Sequence, residues 1–303
     1  MRIVSLVPHA TELLFELGLD AEIIAVTHEC DYPAAARELP RVTRDALPPG
    51  LSAGEIDAAV CERVENGRAI YELDDELVAH LSPDLIVAQA LCPVCAVSYE
   101  DVAALAQRIP SRPRVISLDP QTFGETLADI RRVGEVTGRQ ERARELADDA
   151  GRRIAAVEAA VRDAPRPRVA ALEWFDPVYV AGHWTPQLIE LAGGADVLGR
   201  PGEPSYRTDW PSVAASQPDV VLAIPCGFDA QRAQAEAVEH AGELAELAAG
   251  RVVALDASAY FSRPGPRLVD GLELLAHVLH PERVPDAPAE VLEVQPGALA
   301  PRA

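Results

Sequence analysis

The chain has 303 residues, enough for two lobes of roughly 120 to 150 residues, each with its own core. Hydrophobic residues make up 49% and charged residues 25%, an ordinary globular mixture. A formal net charge of -21 sets the chain against nucleic acid and anionic membrane as partners, because both present negative charge.

The chain opens MRIVSLVPHATELLFELG, with one basic residue and a short apolar stretch before Pro8 and His9. An export signal needs roughly 7–15 apolar residues and a small-residue cleavage site. No stretch reaches the roughly 18 to 20 apolar residues of a membrane span. The expected location is therefore the cytoplasm, taking Met1 as the true start. An upstream frame with an apolar segment would instead make the protein an exported receptor. The five cysteines, Cys30, Cys61, Cys92, Cys95 and Cys226, are odd in number, and reduced thiols are expected.

RIVSL (2–6) is the first predicted strand, and ATELLFELG (10–18) the helix behind it, ended by Gly18. SAGEIDAAVCERVENG (52–67) is a second helix. Ser52 and Glu55 have capping-box spacing, and Ile56, Ala59, Val60 and Val64 form its apolar stripe. Cys61 beside that stripe is expected in or near the core. SPDLIVAQ (82–89) and RVISL (114–118) complete a first set of strands. Residues 122–163 are almost all helix-forming, with Gly138 the one expected break, and APRPR (164–168) ends them. A helix of about 25 residues there is about 37 Å long and acts as a stiff strut.

The second half repeats the first. RVAAL (168–172), QPDVVLAI (217–224) and RVVAL (251–255) follow the same order, an arginine before each outer strand and a Pro-Asp turn before the middle one. TPQLIELAGG (185–194) and RPGPRLVDGLELLAHVLHP (263–281) are its helices. Residues 285–303 are rich in Pro and Ala without a clear period, and read as a mobile tail. The predicted fold is α/β: two similar Rossmann-like lobes bridged by one long α-helix. The expected divisions are 1–120, 121–164, 165–284 and 285–303.

This plan resembles the helical-backbone (class III) substrate-binding proteins of ABC transporters. Residues 2–42 look like the first lobe of the cobalamin receptors, with Ser5 to Glu12 at the first helix start and an Asp-Tyr-Pro loop at Asp31 to Pro33. Residues 174–199 resemble the second-lobe opening, and residues 260–276 the last helix. The resemblance implies the helical-backbone periplasmic-binding-protein fold and a cobalamin-like corrinoid as ligand. Haem and ferric-siderophore binders share the scaffold. It also implies docking to a transporter through an acidic residue on each lobe. The first falls at Glu76, and the second near Pro211, with Asp209 two residues away. Residues 52–73 look like an insertion relative to those receptors. THECDYP (27–33) together with LCPVCAVS (91–98) is similar to a cytoplasmic branch of cobalamin-binding-like proteins. An ABC-transporter or corrinoid-handling partner follows from that resemblance.

In a doubly wound lobe, ligands bind beyond the C-terminal ends of the strands. The first-lobe loops there hold His9, Thr27, His28, Glu29, Tyr32, Gln89, Cys92 and Cys95. The second-lobe loops hold Trp174, Phe175, Trp184, Tyr206, Tyr260, Phe261 and Arg263, where the receptors carry a corrin-contacting aromatic near Tyr206. A flat macrocycle stacks against such aromatics, although each of them could also serve packing alone. Cys92 and Cys95 admit several readings: reduced loop cysteines, pocket wall or axial ligand to a cofactor metal, or a zinc-like site with His28. A thioredoxin-type dithiol is disfavoured, because Pro93 precedes the helix start near Ser98. His183, His240, His277 and His280 read as structural or surface residues. No nucleophile–base pair or phosphate loop is present. Two functions compete: a binding protein holding a cobalamin-like corrinoid in the cleft between lobes, and a metal-dependent enzyme or metal-handling protein using His28, Glu29, Cys92 and Cys95.

Overall fold

The computed structural model describes residues 1–66, 69–90 and 96–295. The chain divides into two compact units, Met1–Pro120 with Thr126–Ala147, and Gln121–Glu125 with Asp148–Ala303.

The first unit holds β1 (Ile3–Ser5), α1 (Pro8–Glu16), β2 (Ile23–Val26), β3 (Thr43–Asp45), α2 (Ala53–Glu65), β4 (Tyr71–Leu73), α3 (Asp75–Leu81), β5 (Leu85–Ala88), α4 (Tyr99–Arg108) and β6 (Arg114–Ser117). Its main sheet is parallel in the order β2-β1-β5-β6. β1 and β5 are wholly buried, as continuous apolar runs covered on both faces must be. One core cluster packs α1 on one face and another packs Val78, Val102 and Leu105 on the other. The capping box of α2 forms as its spacing predicts, with Ser52 N–H donating to Glu55 Oε2 at 2.8 Å. The apolar stripe of α2 does not become core. Only Ala53 of this helix is buried, and Cys61 is exposed, contrary to its predicted place. The segment instead carries an antiparallel pair, β3 with β4.

The helical stretch after β6 is two helices, α5 (Phe123–Thr137) and α6 (Gln140–Val161). The chain turns at Gly138, whose φ of +74° is one that L-residues with a side chain rarely adopt. Gly134 lets α6 approach closely, since a Cβ there would stand 2.3 Å from that of Ala143. α6 is about 33 Å long at 1.5 Å per residue, and the division between the units falls within it, after Ala147.

The second unit holds β7 (Arg168–Phe175), β8 (Val178–Val180), α7 (Thr185–Leu191), β9 (Ala195–Asp196), β10 (Tyr206–Arg207), α8 (Trp210–Ala215), β11 (Val220–Ala223), α9 (Ala230–Glu239), α10 (Ala241–Glu246), β12 (Arg251–Ala254), α11 (Ala257–Tyr260), α12 (Leu268–Leu279) and β13 (Leu292–Val294). The sheet order is β10-β8-β7-β11-β12-β13, with β9 beside β7. β7, β11 and β12 are parallel, β8 is antiparallel to both its neighbours β7 and β10, and β13 is antiparallel to β12. β13 corrects the expected mobile tail. Val294 is buried, Glu293 pairs with Arg251, and the strand is hydrogen-bonded to β12 from Val252 to Ala254. Three residues suffice for an edge strand, too short to show a period amid Pro and Ala.

The internal duplication extends to individual hydrogen bonds. Arg2 N–H donates to Asp84 Oδ2 at 2.8 Å, and Arg168 N–H donates to Asp219 Oδ2 at 2.8 Å. The Asp84 carbonyl accepts from Arg114 N–H, and the Asp219 carbonyl from Arg251 N–H. The Arg2 side chain caps the Leu81 carbonyl, and the Arg168 side chain the carbonyls of Ser216 and Gln217. Ser82 and Gln217, each just before the Pro-Asp pair, share a left-handed φ of 46° and 47°. The arginine and the Pro-Asp of each repeat thus form one clamp at the N-terminal ends of three adjacent strands.

Candidate functional site

In the first unit the loop after β2 folds on a buried polar knot. Thr11 Oγ1 donates to Ser5 Oγ at 2.8 Å, and the Cys30 thiol lies 3.1 Å from both Thr11 Oγ1 and Thr27 Oγ1. Cys30 is thereby a hydrogen-bonded core residue. Beside it His28 is half-buried, with Nδ1 2.7 Å from Thr43 Oγ1, Nε2 3.4 Å from Glu29 Oε1, and the ring edge-on to Tyr71 at 5.0 Å. Thr27, His28 and Glu29 line a small pocket with Leu6, Pro8, Thr43, Tyr71, Ala96 and Val97. Its free volume of about 10 Å³ has room for one water-sized sphere. Tyr32 stands exposed beside this loop, at 45% of its full accessibility.

The structure buries three of the first-lobe candidates. His9, Thr27 and Gln89 are 4%, 5% and 6% exposed and present little surface to a ligand. Among the described residues no group of three or more His, Cys, Asp or Glu is arranged to hold a metal. Cys92 and Cys95 lie outside the described residues.

In the second unit, the loops after β7, β11 and β12 meet at the C-terminal edge of the sheet. Trp174, half-buried, packs edge-on against Phe228 at 5.4 Å and donates its indole N–H to the Asp176 carbonyl. Ser258 N–H donates to the Phe228 carbonyl, and Gly227 N–H to Ser262 Oγ, which ties two of these loops together. Tyr260 and Arg263 are half-buried on the same rim. Arg267 lies over the Tyr260 ring, 5.9 Å from its centroid. Tyr206 on β10 donates its hydroxyl to the Leu198 carbonyl at 2.9 Å, under the Arg200 guanidinium.

Three predicted aromatics serve packing instead. Phe175 is 1% exposed and stacks with Trp210 and His240 in the core. Trp184 is buried and donates its indole N–H to the Phe261 carbonyl at 2.7 Å, and Phe261 is buried as well. Sequence position past a strand end placed them on the rim, but the chain turns each ring inward.

Glu173 stands near the end of β7 but is absent from the predicted site. Pairing between β7 and β8 skips a residue, Leu172 facing Val180 and Trp174 facing Tyr179, so Glu173 sits in a β-bulge. Bulges re-aim side chains next to sites. The half-buried carboxyl takes a hydrogen bond from the Ser205 side chain, and Ser205 Oγ in turn accepts from Gly182 N–H at 3.2 Å. Burial outweighs that hydrogen bond and pushes the carboxyl up to about 7. Gly182 has to be glycine, because a Cβ would meet the Glu203 carbonyl and Ser205 nitrogen at 2.5 Å. Its neighbour His183 has φ of +52° and stacks on Trp184, and burial lowers its pKa.

Residues 3–257 match the family described as periplasmic binding protein. The chain belongs to that family. This periplasmic binding protein is 26% identical over 277 residues to the vitamin B12-binding protein of Vibrio cholerae serotype O1, spanning 90% of this chain and 86% of that one. Among solved structures, the periplasmic vitamin B12-binding protein of Vibrio cholerae has a TM-score of 0.67 at 24% identity, over 92% of this chain and 96% of that chain. A periplasmic haem-binding protein of Pseudomonas aeruginosa has a TM-score of 0.69 at 21% identity, over 97% and 95%. These likenesses establish the fold as the helical-backbone binding-protein fold that the duplicated strands imply.

Membership makes the chain a binding protein for a small-molecule ligand. It also overturns the cytoplasmic location read from the opening residues, since the family and the structural relatives above are periplasmic. Among the described residues no helix is long and apolar enough to cross a membrane.

Proposed function

We propose that this periplasmic binding protein holds a corrinoid of the vitamin B12 class, an amide-bearing cobalt tetrapyrrole. What carries the reading is the likeness to vitamin B12-binding proteins along about nine-tenths of the chain. The chemistry of the loops agrees with it. Trp174 and Tyr260 offer aromatic faces at the edge of the second unit's sheet, and Tyr32 offers an exposed ring at that of the first. A flat ring buries against such side chains with little loss of side-chain freedom. His28, Glu29, Tyr206 and Arg263 supply the polar contacts.

Delivery to an ABC transporter is the companion proposal, with Glu76 and Asp209 as the acidic contacts. Glu76 is exposed in the first turn of α3. Asp209 is exposed and also caps α8, accepting from Ser212 N–H at 2.8 Å. Its hydrogen bonds with Ser212 hold its pKa down, so it is a fixed negative charge.

The test is titration of the purified protein with cyanocobalamin, followed by calorimetry and the visible spectrum, with haemin run in parallel. Saturable one-to-one binding of cyanocobalamin at micromolar concentration or tighter is expected. Saturable binding of haemin with no response to cyanocobalamin would overturn the corrinoid reading in favour of a porphyrin.

A further inference from the structure

Corrinoids and porphyrins share a flat metal-bearing ring but differ at the edge. The corrin of vitamin B12 carries neutral carboxamide side chains, whereas haem carries two propionate carboxylates. A site that tells them apart needs a polar group at the rim, held rigidly and of a kind that treats an amide and a carboxylate differently.

Glu173 meets each requirement. It lies near the C-terminal end of β7, directly before Trp174, the ring proposed to meet the ligand. The bulge takes it out of strand pairing and leaves its side chain half-buried rather than solvated. It is braced from behind through Ser205, whose hydroxyl is itself fixed by Gly182 N–H. Its own carbonyl accepts from Cys226 N–H at 3.0 Å, so the backbone is pinned to the neighbouring β11 loop as well. Two positive groups on the rim face a carboxylate. Arg263 and Arg267 act on Asp256, the N-cap of α11, and Asp229 caps α9 nearby.

We infer that Glu173 is a specificity-determining residue, its carboxyl accepting a hydrogen bond from a peripheral carboxamide of the ring and rejecting a carboxylate at the same place. The inference rests on the corrinoid reading above. At pH 8, above its pKa of about 7, Glu173 is ionised, and a ring carboxylate at the same place would set two partly desolvated negative charges in contact with no proton between them. An amide N–H, in contrast, bonds to the carboxylate with the added strength of a charged acceptor.

The experiment compares cyanocobalamin with its derivatives in which one peripheral amide is hydrolysed to a carboxylate, at pH 8, on wild type, Glu173→Gln and Glu173→Ala. Wild type should bind at least one of these acids about tenfold or more weakly than cyanocobalamin. Glu173→Gln, which can donate to a carboxylate, should bind that acid and cyanocobalamin within about threefold of each other. Glu173→Ala should weaken cyanocobalamin itself by about fivefold or more. Equal binding of every acid and cyanocobalamin by wild type overturns the inference without reference to any variant. So does a preference that survives unchanged in Glu173→Gln. No binding of cyanocobalamin by wild type overturns the corrinoid reading and the inference with it, so the two failures are distinct.

Discussion

Glu173→Gln should make the protein more stable in alkaline buffer and leave it unchanged in acid. The wild-type carboxyl has a folded-state pKa of about 7 against an ordinary value of 4.5, and burial is the main cause. Below about pH 4.5 both folded and unfolded chains carry the proton, and the group contributes no pH dependence. Between there and about 7 the unfolded chain loses the proton while the folded chain keeps it, so stability falls as pH rises. At 1.36 kcal/mol per unit the full loss is about 3 kcal/mol, reduced to about 1–2 kcal/mol by the partial solvation that remains at the sheet edge. Glutamine is nearly isosteric, can still accept from Ser205, and has no charge to bury. Scanning calorimetry from pH 4.5 to 8 on both proteins should show melting temperatures that coincide in acid. They should separate by about 2–6 °C above pH 7, with the variant higher. Parallel curves across that range, or a variant that is the less stable at pH 8, would refute an elevated Glu173 pKa.

Asp84→Ala and Asp219→Ala each remove the acceptor for an arginine N–H at a strand start, and each should cost about 1–2 kcal/mol in urea unfolding. A loss in one and none in the other would contradict their equivalence. Gly182→Ala drives a Cβ into the backbone of residues 203–205 and should destabilise by about 1–3 kcal/mol, measured by thermal melting. Trp174→Ala, which removes a half-buried ring packed against Phe228, should weaken cyanocobalamin by about tenfold or more and lower the melting temperature while the far-ultraviolet circular dichroism keeps its wild-type shape.

The frame was legible in the sequence because its signals are local. An arginine before an apolar run and a Pro-Asp turn before the middle strand report backbone hydrogen bonds made at those same residues. Ser52 with Glu55 is a contact three residues long, and it formed. What failed depended on the direction a ring takes after a strand ends. Trp174 and Phe175 are neighbours in sequence, yet one reaches the rim and the other fills the core. Tyr71 and Phe228 were missed for the converse reason. Each is half of an aromatic contact, with His28 and with Trp174, whose partner is far away in the chain. Glu173 was visible as a residue, but its chemistry was not, because the bulge that places it arises only when β8 pairs back. The stripe of α2 obeyed helical periodicity without becoming core, since a period says which residues share a face and not what covers that face.

The repeated clamp has a bearing on how such a frame changes its cargo. Arg2 with Asp84, and Arg168 with Asp219, secure the strands from their N-terminal ends. The loops that carry Tyr32, Trp174 and Tyr260 leave from the opposite ends. Substitutions in those loops therefore leave the fastening of the sheet untouched. On the corrinoid reading, the frame would accept a different ring through changes at a handful of rim residues, because the anchoring arginines and aspartates lie at the other ends of the strands.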